Sequence, residues 1–436
     1  MLRIEELVLY RDEEEGVLET LSGLQRRILD GGKELSGAKE LRSYCALMQK
    51  MIETAQNYGF SGNVWHSWLT WYLVYHENAY SRAHEIRAAV PGGINPIALH
   101  DFEIFRELFA YDFSDIEACL GTSLYSMAAD YEFGGDDRRL ASRRIRDRIE
   151  DLSRKLSSSR TTEAFKSHVD EFYRDFGCGK FGLHKAFRVI HDRKDRTQIV
   201  PITNIAHVNL DDLIGCEIQK QKLRENTEAF LAGRRANNCL LFGDAGTGKS
   251  SSIKGILNEY YGQGLRIIEV YKHQFRDLVH ILAQIKNRNY RFIIYMDDLS
   301  FEEFETDYKY LKAVIEGGLE KKPENVLIYA TSNRRHLIRE NYADKEGDIR
   351  SDMHTSDTVQ EKLSLSYRFG VTIYFGAPDR KEFQRILKGI AQKEGLQMDE
   401  NELYREANAW ELSHGGRSGR SARQFIDHLL GTREEK

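Results

Sequence analysis

A glycine-rich segment between an apolar run and a helical stretch is the strongest constraint in this sequence. Residues 243–250, GDAGTGKS, match the pattern G-x-x-x-x-G-K-[ST] without departure. The apolar run CLLF at 239–242 precedes the segment, and SSIKGILNEY at 251–260 follows it with helical character. Such a loop joins a strand to a helix, so the segment predicts an α/β unit with a phosphate-binding loop.

The residue types of this loop suit a nucleoside polyphosphate. Glycines let backbone N–H groups turn inward around phosphate oxygens, and the N-terminus of the next helix adds partial positive charge. Lys249 is predicted to reach the β- and γ-phosphates, and the Ser250 hydroxyl to ligate Mg²⁺. The alternative, a glycine-rich turn with a surface lysine, is disfavoured by the flanking strand and helix. The predicted nucleotide-binding residues here are Gly243, Asp244, Ala245, Gly246, Thr247, Gly248, Lys249, Ser250 and Ser251.

Two other apolar runs end in polar side chains that suit the same chemistry. RFIIYM is followed by Asp297 and Asp298, and NVLIYATS is followed by Asn333. The carboxyl ends of parallel strands face the ligand in such sheets, so we expect Asp297 to hold the Mg²⁺ and its water shell. Asp298 is then predicted to polarise the attacking water and Asn333 to orient it. An acidic turn and an asparagine that merely ends a strand are the alternatives.

The pattern of apolar runs divides the chain into three regions. Helical periodicity dominates the first part, short runs alternate with helical stretches in the middle, and helical periodicity returns after Pro378. We therefore predict an N-terminal mainly α-helical domain at 1–200, an α/β P-loop NTPase core at 201–378 and a C-terminal helical lid at 379–436. The core's parallel sheet, flanked by helices, is predicted from the runs NNCLLFG, LRIIEV, RFIIYM, NVLIYA and GVTIYF.

Two features of the N-terminal region have competing interpretations. Trp65, Trp68, Tyr72 and Tyr75 recur at helical spacing, and such a stripe is more often core than partner surface. The segment at 138–160 carries nine basic residues against three acidic ones. A charge run of this kind is usually a solvated helix face, and the alternative is a contact with phosphate backbones.

Composition narrows the class of protein further. Lysine plus arginine total 63 and aspartate plus glutamate total 68, so the net charge of -5 gives no global attraction to nucleic acid or membrane. Five cysteines with no C-x-x-C pair favour free thiols over a zinc site or disulfide framework. The acidic N-terminal segment lacks a signal-peptide core, and the apolar stretch Val64–Tyr75 is too short to span a bilayer. We expect a cytoplasmic protein without a membrane partner.

These motifs, in this order, resemble those of the AAA+ ATPase superfamily over about residues 203–430. The loop at 243–250 matches Walker A, Asp297 and Asp298 match Walker B, and Asn333 matches sensor 1. The segment DDLIG, which ends in Gly215, is similar to the one that flanks the adenine there. The resemblance implies that the chain binds ATP and hydrolyses it to ADP and phosphate with Mg²⁺.

The same resemblance gives roles to two arginines. Arg368, in LSLSYRFG, is similar to the arginine finger that reaches the γ-phosphate of a neighbouring subunit, which implies a homo-oligomer. Arg423, in GRSARQF, is similar to the sensor 2 arginine of the lid, and Arg417 and Arg420 compete for that role. Surface salt bridges are the alternative for both positions.

Within the superfamily, several runs resemble a bacterial family of AAA+ ATPases of unknown function. They are DDLSFEEFE, GGLEKKPENVLIYATSNRRHL, EKLSLSYRFG and FGCGKFGLHKAFRV. One departure from the superfamily pattern is that Asp298 stands where Walker B usually has glutamate. We therefore expect hydrolysis to be slow or to be helped by Glu302 or Glu303, with Asp298 as the first choice. An ATPase that remodels a protein partner is the favoured function. A loader acting on DNA and a nucleotide-gated interaction module with little hydrolysis are the alternatives.

Overall fold

The computed structural model divides into two compact units, Met1–His184 and Lys185–Lys436. Within the residues it describes, no helix is long and apolar enough to cross a membrane. The five cysteines are free thiols, as predicted. The described residues are 2–11, 16–31, 38–86, 91–135, 143–206, 208–301, 307–316, 322–334, 337 and 365–432.

The first unit is helical, as its periodicity predicts, and surrounds one core rich in aromatic side chains. Trp65 and Trp68 are buried and stacked, and the indole N–H of Trp65 donates to the carbonyl of Leu108 at 2.7 Å. These tryptophans are therefore core residues. The helices are α1 (Val17–Gly31), α2 (Ala38–Tyr58), α3 (Val64–Tyr75), α4 (Ala79–His84), α5 (Ile94–Phe109), α6 (Ser114–Leu120), α7 (Leu124–Ala128), α8 (Arg143–Ser157), α9 (Thr162–Phe176) and α10 (Gly179–Leu183).

Within the basic segment at 138–160, residues Arg143–Ser157 form α8. Ile145, Ile149 and Leu152 lie along one buried face, as their spacing predicts. On the outer side, Lys155 pairs with Asp151 at 2.8 Å. The helix thus buries an apolar stripe and leaves a charged surface, part of which is already ion-paired.

The second unit contains a seven-stranded sheet in the order β2-β1-β4-β5-β6-β3-β7. The five strands predicted from apolar runs are all present, and each pairs in parallel with its neighbours. This confirms the predicted α/β P-loop core. The strands are β1 (Ala186–His191), β2 (Thr197–Pro201), β3 (Cys239–Gly243), β4 (Leu265–Glu269), β5 (Arg291–Met296), β6 (Val326–Ser332) and β7 (Val371–Phe375), and the helices among them are α11 (Glu217–Leu231), α12 (Lys249–Tyr260), α13 (Leu278–Ile285) and α14 (Tyr308–Glu316).

Two strands, β1 and β2, lie at the end of the region predicted as the helical domain, residues 1–200. β1 pairs in parallel with β4 and antiparallel with β2, so the sheet begins at Ala186 rather than after residue 200. Phe187 and Val189 point into the unit while Arg188 is exposed. A six-residue strand with one buried face carries little periodic signal, and pairing with β4 supplies the stabilisation that local pattern does not.

The predicted C-terminal helical lid is also present. It consists of α15 (Arg380–Lys393), α16 (Glu400–Ser413) and α17 (Gly419–Thr432). The three helices share a small hydrophobic core that includes Phe383 and Phe425. Asp379 begins the lid by accepting the backbone N–H of Glu382 at 2.8 Å, as an N-cap does.

Candidate nucleotide site

The loop after β3 has the backbone that a phosphate-binding turn requires. Gly243, Gly246 and Gly248 have φ values of 132°, 74° and 98°, a region that side chains with a Cβ rarely occupy. A Cβ on Gly243 would lie 2.1 Å from the carbonyl oxygen of Phe375, so only glycine fits there. Helix α12 begins at Lys249, which directs its N-terminal N–H groups toward the loop.

Lys249 lies at the centre of the site. Its ammonium donates to the carbonyl oxygens of Gly243 at 2.9 Å and Asp244 at 2.6 Å, and to Oδ1 of Asn333 at 3.0 Å. Burial lowers the pKa of Lys249 below its usual value, although nearby carboxylates oppose the shift. The amine is thus already ordered at the point where a polyphosphate would meet the loop.

A hydroxyl and a carboxylate face each other beside this lysine. The Ser250 hydroxyl donates to Oδ1 of Asp297 at 2.8 Å, and the Thr331 hydroxyl donates to the same oxygen at 2.5 Å. Burial acts to raise the pKa of Asp297, but hydrogen bonds such as these outweigh it and hold that pKa below its ordinary value. An ionised carboxylate next to a serine hydroxyl is a pair of hard oxygen ligands that suits Mg²⁺, which keeps several waters when bound.

Asp298 occupies an unusual backbone conformation at the end of β5. Its φ is 49°, its N–H donates to the Thr331 hydroxyl at 2.9 Å, and its Oδ1 accepts the Asn333 amide at 2.9 Å. Parallel pairing of β5 with β6 brings Asp297 next to Thr331, because Met296 stands opposite Ala330. The two strand ends that the sequence singled out therefore meet.

These groups open into a cavity of about 730 Å³. On its other side the cavity is lined by Gly215 and by apolar lid residues such as Ile386 and Ile390. Gly215 has a φ of 81°, and a Cβ there would lie 2.6 Å from the carboxylate of Glu382. Of the predicted nucleotide-binding and catalytic residues, all line the cavity except Gly243, Asp244 and Arg368.

The lid contributes two arginines to the cavity, Arg420 and Arg423. The Arg423 guanidinium already pairs with Glu394 at 2.7 Å and Asp427 at 3.0 Å. The charge of Arg420 acts on Lys249 and contributes to lowering the pKa of that lysine, after burial. Arg420 also contacts the phosphate loop, because its backbone N–H donates to the carbonyl of Gly246 at 3.2 Å. Arg423 is instead ion-paired within its own helix and with Glu394 next to the end of α15.

The remaining candidate residues do not line the cavity or lie outside the described residues. Arg368 lies just before β7 and does not line the cavity of its own chain. Arg417 pairs with Glu411 at 2.9 Å and does not line the cavity either. Glu302 and Glu303, considered above as helpers of Asp298, lie outside the described residues. Among the residues that are described, no group of three or more His, Cys, Asp or Glu side chains forms a metal site.

Thr331 is a site residue that sequence reasoning did not single out. Its hydroxyl contacts both Asp297 and the backbone of Asp298, so it fixes the two acidic positions relative to β6. The sequence does contain a signal for this role. Thr331 lies two residues before Asn333, and alternate residues of a strand share a face, so Thr331 could have been predicted to face the same site.

Among curated protein sequences, none matches this chain. Solved structures of the Thermotoga maritima RuvB Holliday junction branch migration motor are similar at low identity. One has 17% identity and a TM-score of 0.37, and a mutant of the same protein has 16% identity and a TM-score of 0.36. Each match covers 51% of this chain, and the chain spans 64% of the length of those proteins.

A family model matches residues 183–433, which is more than half of the chain and includes the whole sheet and lid. That family is described as a protein of unknown function, DUF815. The matched region starts before β1, so it includes both β1 and β2. The chain belongs to the DUF815 family.

Proposed function

We propose that this protein binds ATP with Mg²⁺ and hydrolyses it to ADP and phosphate. The observation that carries the proposal is the convergence of Lys249, Ser250, Asp297 and Asn333 from two strand ends and one helix start on one cavity. These are the residue types that phosphoryl transfer needs, because it depends mainly on positioning and charge stabilisation. The backbone of the loop adds donors that no side-chain substitution removes.

Each side chain has a defined part in this proposal. Lys249 exchanges its carbonyl partners for phosphate oxygens and offsets their charge. Ser250 and Asp297 hold Mg²⁺, which supplies charge neutralisation on the phosphates. Asn333 and Asp298 are hydrogen-bonded to each other at 2.9 Å, so together they can hold a water in line with the γ-phosphate.

One observation favours a second candidate, a nucleotide-gated module with little hydrolysis. The Asp298 carboxylate is one methylene shorter than glutamate, and it is engaged by Asn333 in this state. A displacement of about 1 Å at the attacking water costs on the order of a hundredfold in rate. The two candidates share the binding site and differ only in turnover.

Assembly and client are further parts of the proposal. An arginine supplied by a neighbouring subunit gives a factor of about 10³–10⁵ in related chemistry, and Arg368 is the proposed donor because it does not line the cavity of its own chain. We therefore propose a homo-oligomer that couples hydrolysis to remodelling of a protein partner. Nucleic acid is the less favoured client, because the net charge of -5 provides no general attraction.

Phosphate release from ATP tests this function directly. The wild-type chain is assayed with Mg²⁺ and with chelator, beside a Ser250→Ala variant. We expect Mg²⁺-dependent release that falls by about 10-fold or more in Ser250→Ala, as one charge-assisted ligand contact is lost. Tight Mg²⁺·ATP binding without release would favour the second candidate. Release that survives chelation would contradict the proposed site.

A further inference from the structure

Asp244, the second residue of the phosphate loop, makes contacts in two directions. Its backbone carbonyl accepts the ammonium of Lys249 at 2.6 Å, and its N–H donates to the carbonyl of Phe375 at 3.0 Å. Its side chain is exposed and does not line the cavity. Instead, Oδ2 of Asp244 accepts the backbone N–H of Ala377 at 2.7 Å.

Ala377 belongs to a short connection, residues 376–379, that runs from β7 to the first lid helix. Asp379, at the end of this connection, caps α15. A hydrogen bond to Ala377 therefore attaches the phosphate loop to the segment from which the lid extends. Because the acceptor is a carboxylate, this bond belongs to the stronger, charge-assisted class.

The lid also touches the loop at a second point. The N–H of Arg420, in the first turn of α17, donates to the carbonyl of Gly246 at 3.2 Å. A Cβ on Gly246 would lie 2.9 Å from Cβ of Arg420 and from Oγ of Ser418, so the start of α17 packs closely against the loop. The loop is thus held between the start of α15 and the start of α17.

We propose that Asp244 is a positioning residue that couples occupancy of the phosphate site to the position of the lid. This inference rests on the proposed nucleotide site. Lys249 holds the carbonyls of Gly243 and Asp244 in the structure described here. A polyphosphate that takes the ammonium releases those carbonyls, the peptide of Asp244 turns, and its carboxylate moves Ala377 with it.

Hydrogen exchange of residues 376–393, followed by mass spectrometry, tests the coupling. Each protein is measured alone and with a non-hydrolysable ATP analogue plus Mg²⁺, at a concentration that calorimetry shows to be saturating. In the wild type we expect the analogue to change exchange in this segment. In Asp244→Ala we expect that change to shrink by about threefold or more, since the phosphate loop no longer binds the connection at residues 376–379.

Two further variants separate coupling from simple loss of structure. Asp244→Asn keeps a side-chain acceptor for the N–H of Ala377, so it restores the nucleotide-dependent change. Asp379→Ala removes the cap of α15, where Asp379 accepts the N–H of Glu382 at 2.8 Å, but leaves the bond from Asp244. It is expected to raise exchange in the first turn of α15 with and without nucleotide and to keep the difference between them.

The outcomes are distinguishable from those for the proposed function. A wild-type chain that binds no ATP analogue overturns the nucleotide site itself. Binding without any change in residues 376–393, or an equal change in Asp244→Ala, overturns the coupling and leaves the site intact. Loss of binding in Asp244→Ala assigns the carboxylate to phosphate binding and also overturns the coupling.

Discussion

The ammonium of Lys249 lies 3.0 Å from the side-chain oxygen of Asn333, across the boundary between helix α12 and strand β6. The amide nitrogen of the same Asn333 donates to Asp298 at 2.9 Å. One neutral side chain therefore bridges the residue proposed to hold the phosphates and the residue proposed to polarise water. A ligand that takes the Lys249 ammonium would free the side-chain oxygen of Asn333 that now accepts it.

The first prediction concerns the length of the Asp298 side chain. Asp298→Asn removes the carboxylate but keeps a hydrogen-bonding partner for Asn333, so kcat for ATP should fall by about 10²–10³ while nucleotide still binds. Asp298→Glu lengthens the side chain by one methylene and should raise kcat above wild type if reach limits the rate. Steady-state phosphate release measures both. Equal turnover in wild type and Asp298→Asn would remove Asp298 from the mechanism.

The second prediction separates the two lid arginines. Arg420 lies beside the phosphate loop, where its backbone N–H donates to the carbonyl of Gly246, whereas Arg423 is paired with Glu394 and Asp427. Arg420→Ala should weaken ATP binding by about 10-fold while ADP affinity changes less, because a charge near the γ-phosphate is lost. Arg423→Ala should change the ratio of ATP affinity to ADP affinity little. The reverse pattern in calorimetry would give the sensor 2 role to Arg423, as its sequence position first suggested.

The third prediction concerns assembly. Arg368→Ala should bind ATP normally and lose most turnover, since the guanidinium is proposed to act on a neighbour. Mixing this variant with Lys249→Ala should restore part of the activity, because each mixed interface can join an intact phosphate site to an intact arginine. Turnover is followed across a range of mixing ratios. If Arg368→Ala alone hydrolyses ATP at the wild-type rate, the finger assignment fails.

The fourth prediction follows from the lowered pKa of Asp297. A carboxyl whose pKa is lower in the folded than in the unfolded state stabilises the fold above the unfolded pKa, and this contribution is lost as pH falls through the folded one. Asp297→Asn should therefore lower the free energy of unfolding by a constant amount above about pH 5. The difference from wild type should shrink below about pH 4. Denaturant titrations at several pH values measure it. A loss that grows on acidification would indicate a raised pKa instead.

Much of the fold was predictable because its signals are local. Two short segments each predict their own structure. They are the run RFIIYM, which is followed by two aspartates, and the loop GDAGTGKS between a strand and a helix. The carboxyl ends of neighbouring parallel strands lie at the same edge of a sheet. The sequence could therefore predict that Asp297 and Asn333 lie close together. The buried tryptophans of α3 followed from helical spacing in the same way.

Other features depend on contacts between distant parts of the chain. β1 is held by its pairing with β4 about eighty residues later, which no local pattern encodes. The hydrogen bond that Ala377 donates to Asp244 and the contact of Arg420 with Gly246 both depend on how the lid packs against the loop. Its position in the sequence made Arg423 the first choice for the sensor 2 role. The sequence cannot show that Glu394 and Asp427 already pair with this arginine.

The central claim is that Lys249 is the residue through which this chain holds a nucleotide. Isothermal calorimetry with Mg²⁺·ATP compares the wild type, Lys249→Ala and a matched control, Lys222→Ala, whose side chain is exposed on α11. We predict that Lys249→Ala loses roughly 100-fold or more in affinity, in line with the loss of charge-assisted contacts to phosphate, and that Lys222→Ala binds like wild type. Wild-type affinity in Lys249→Ala would contradict the account.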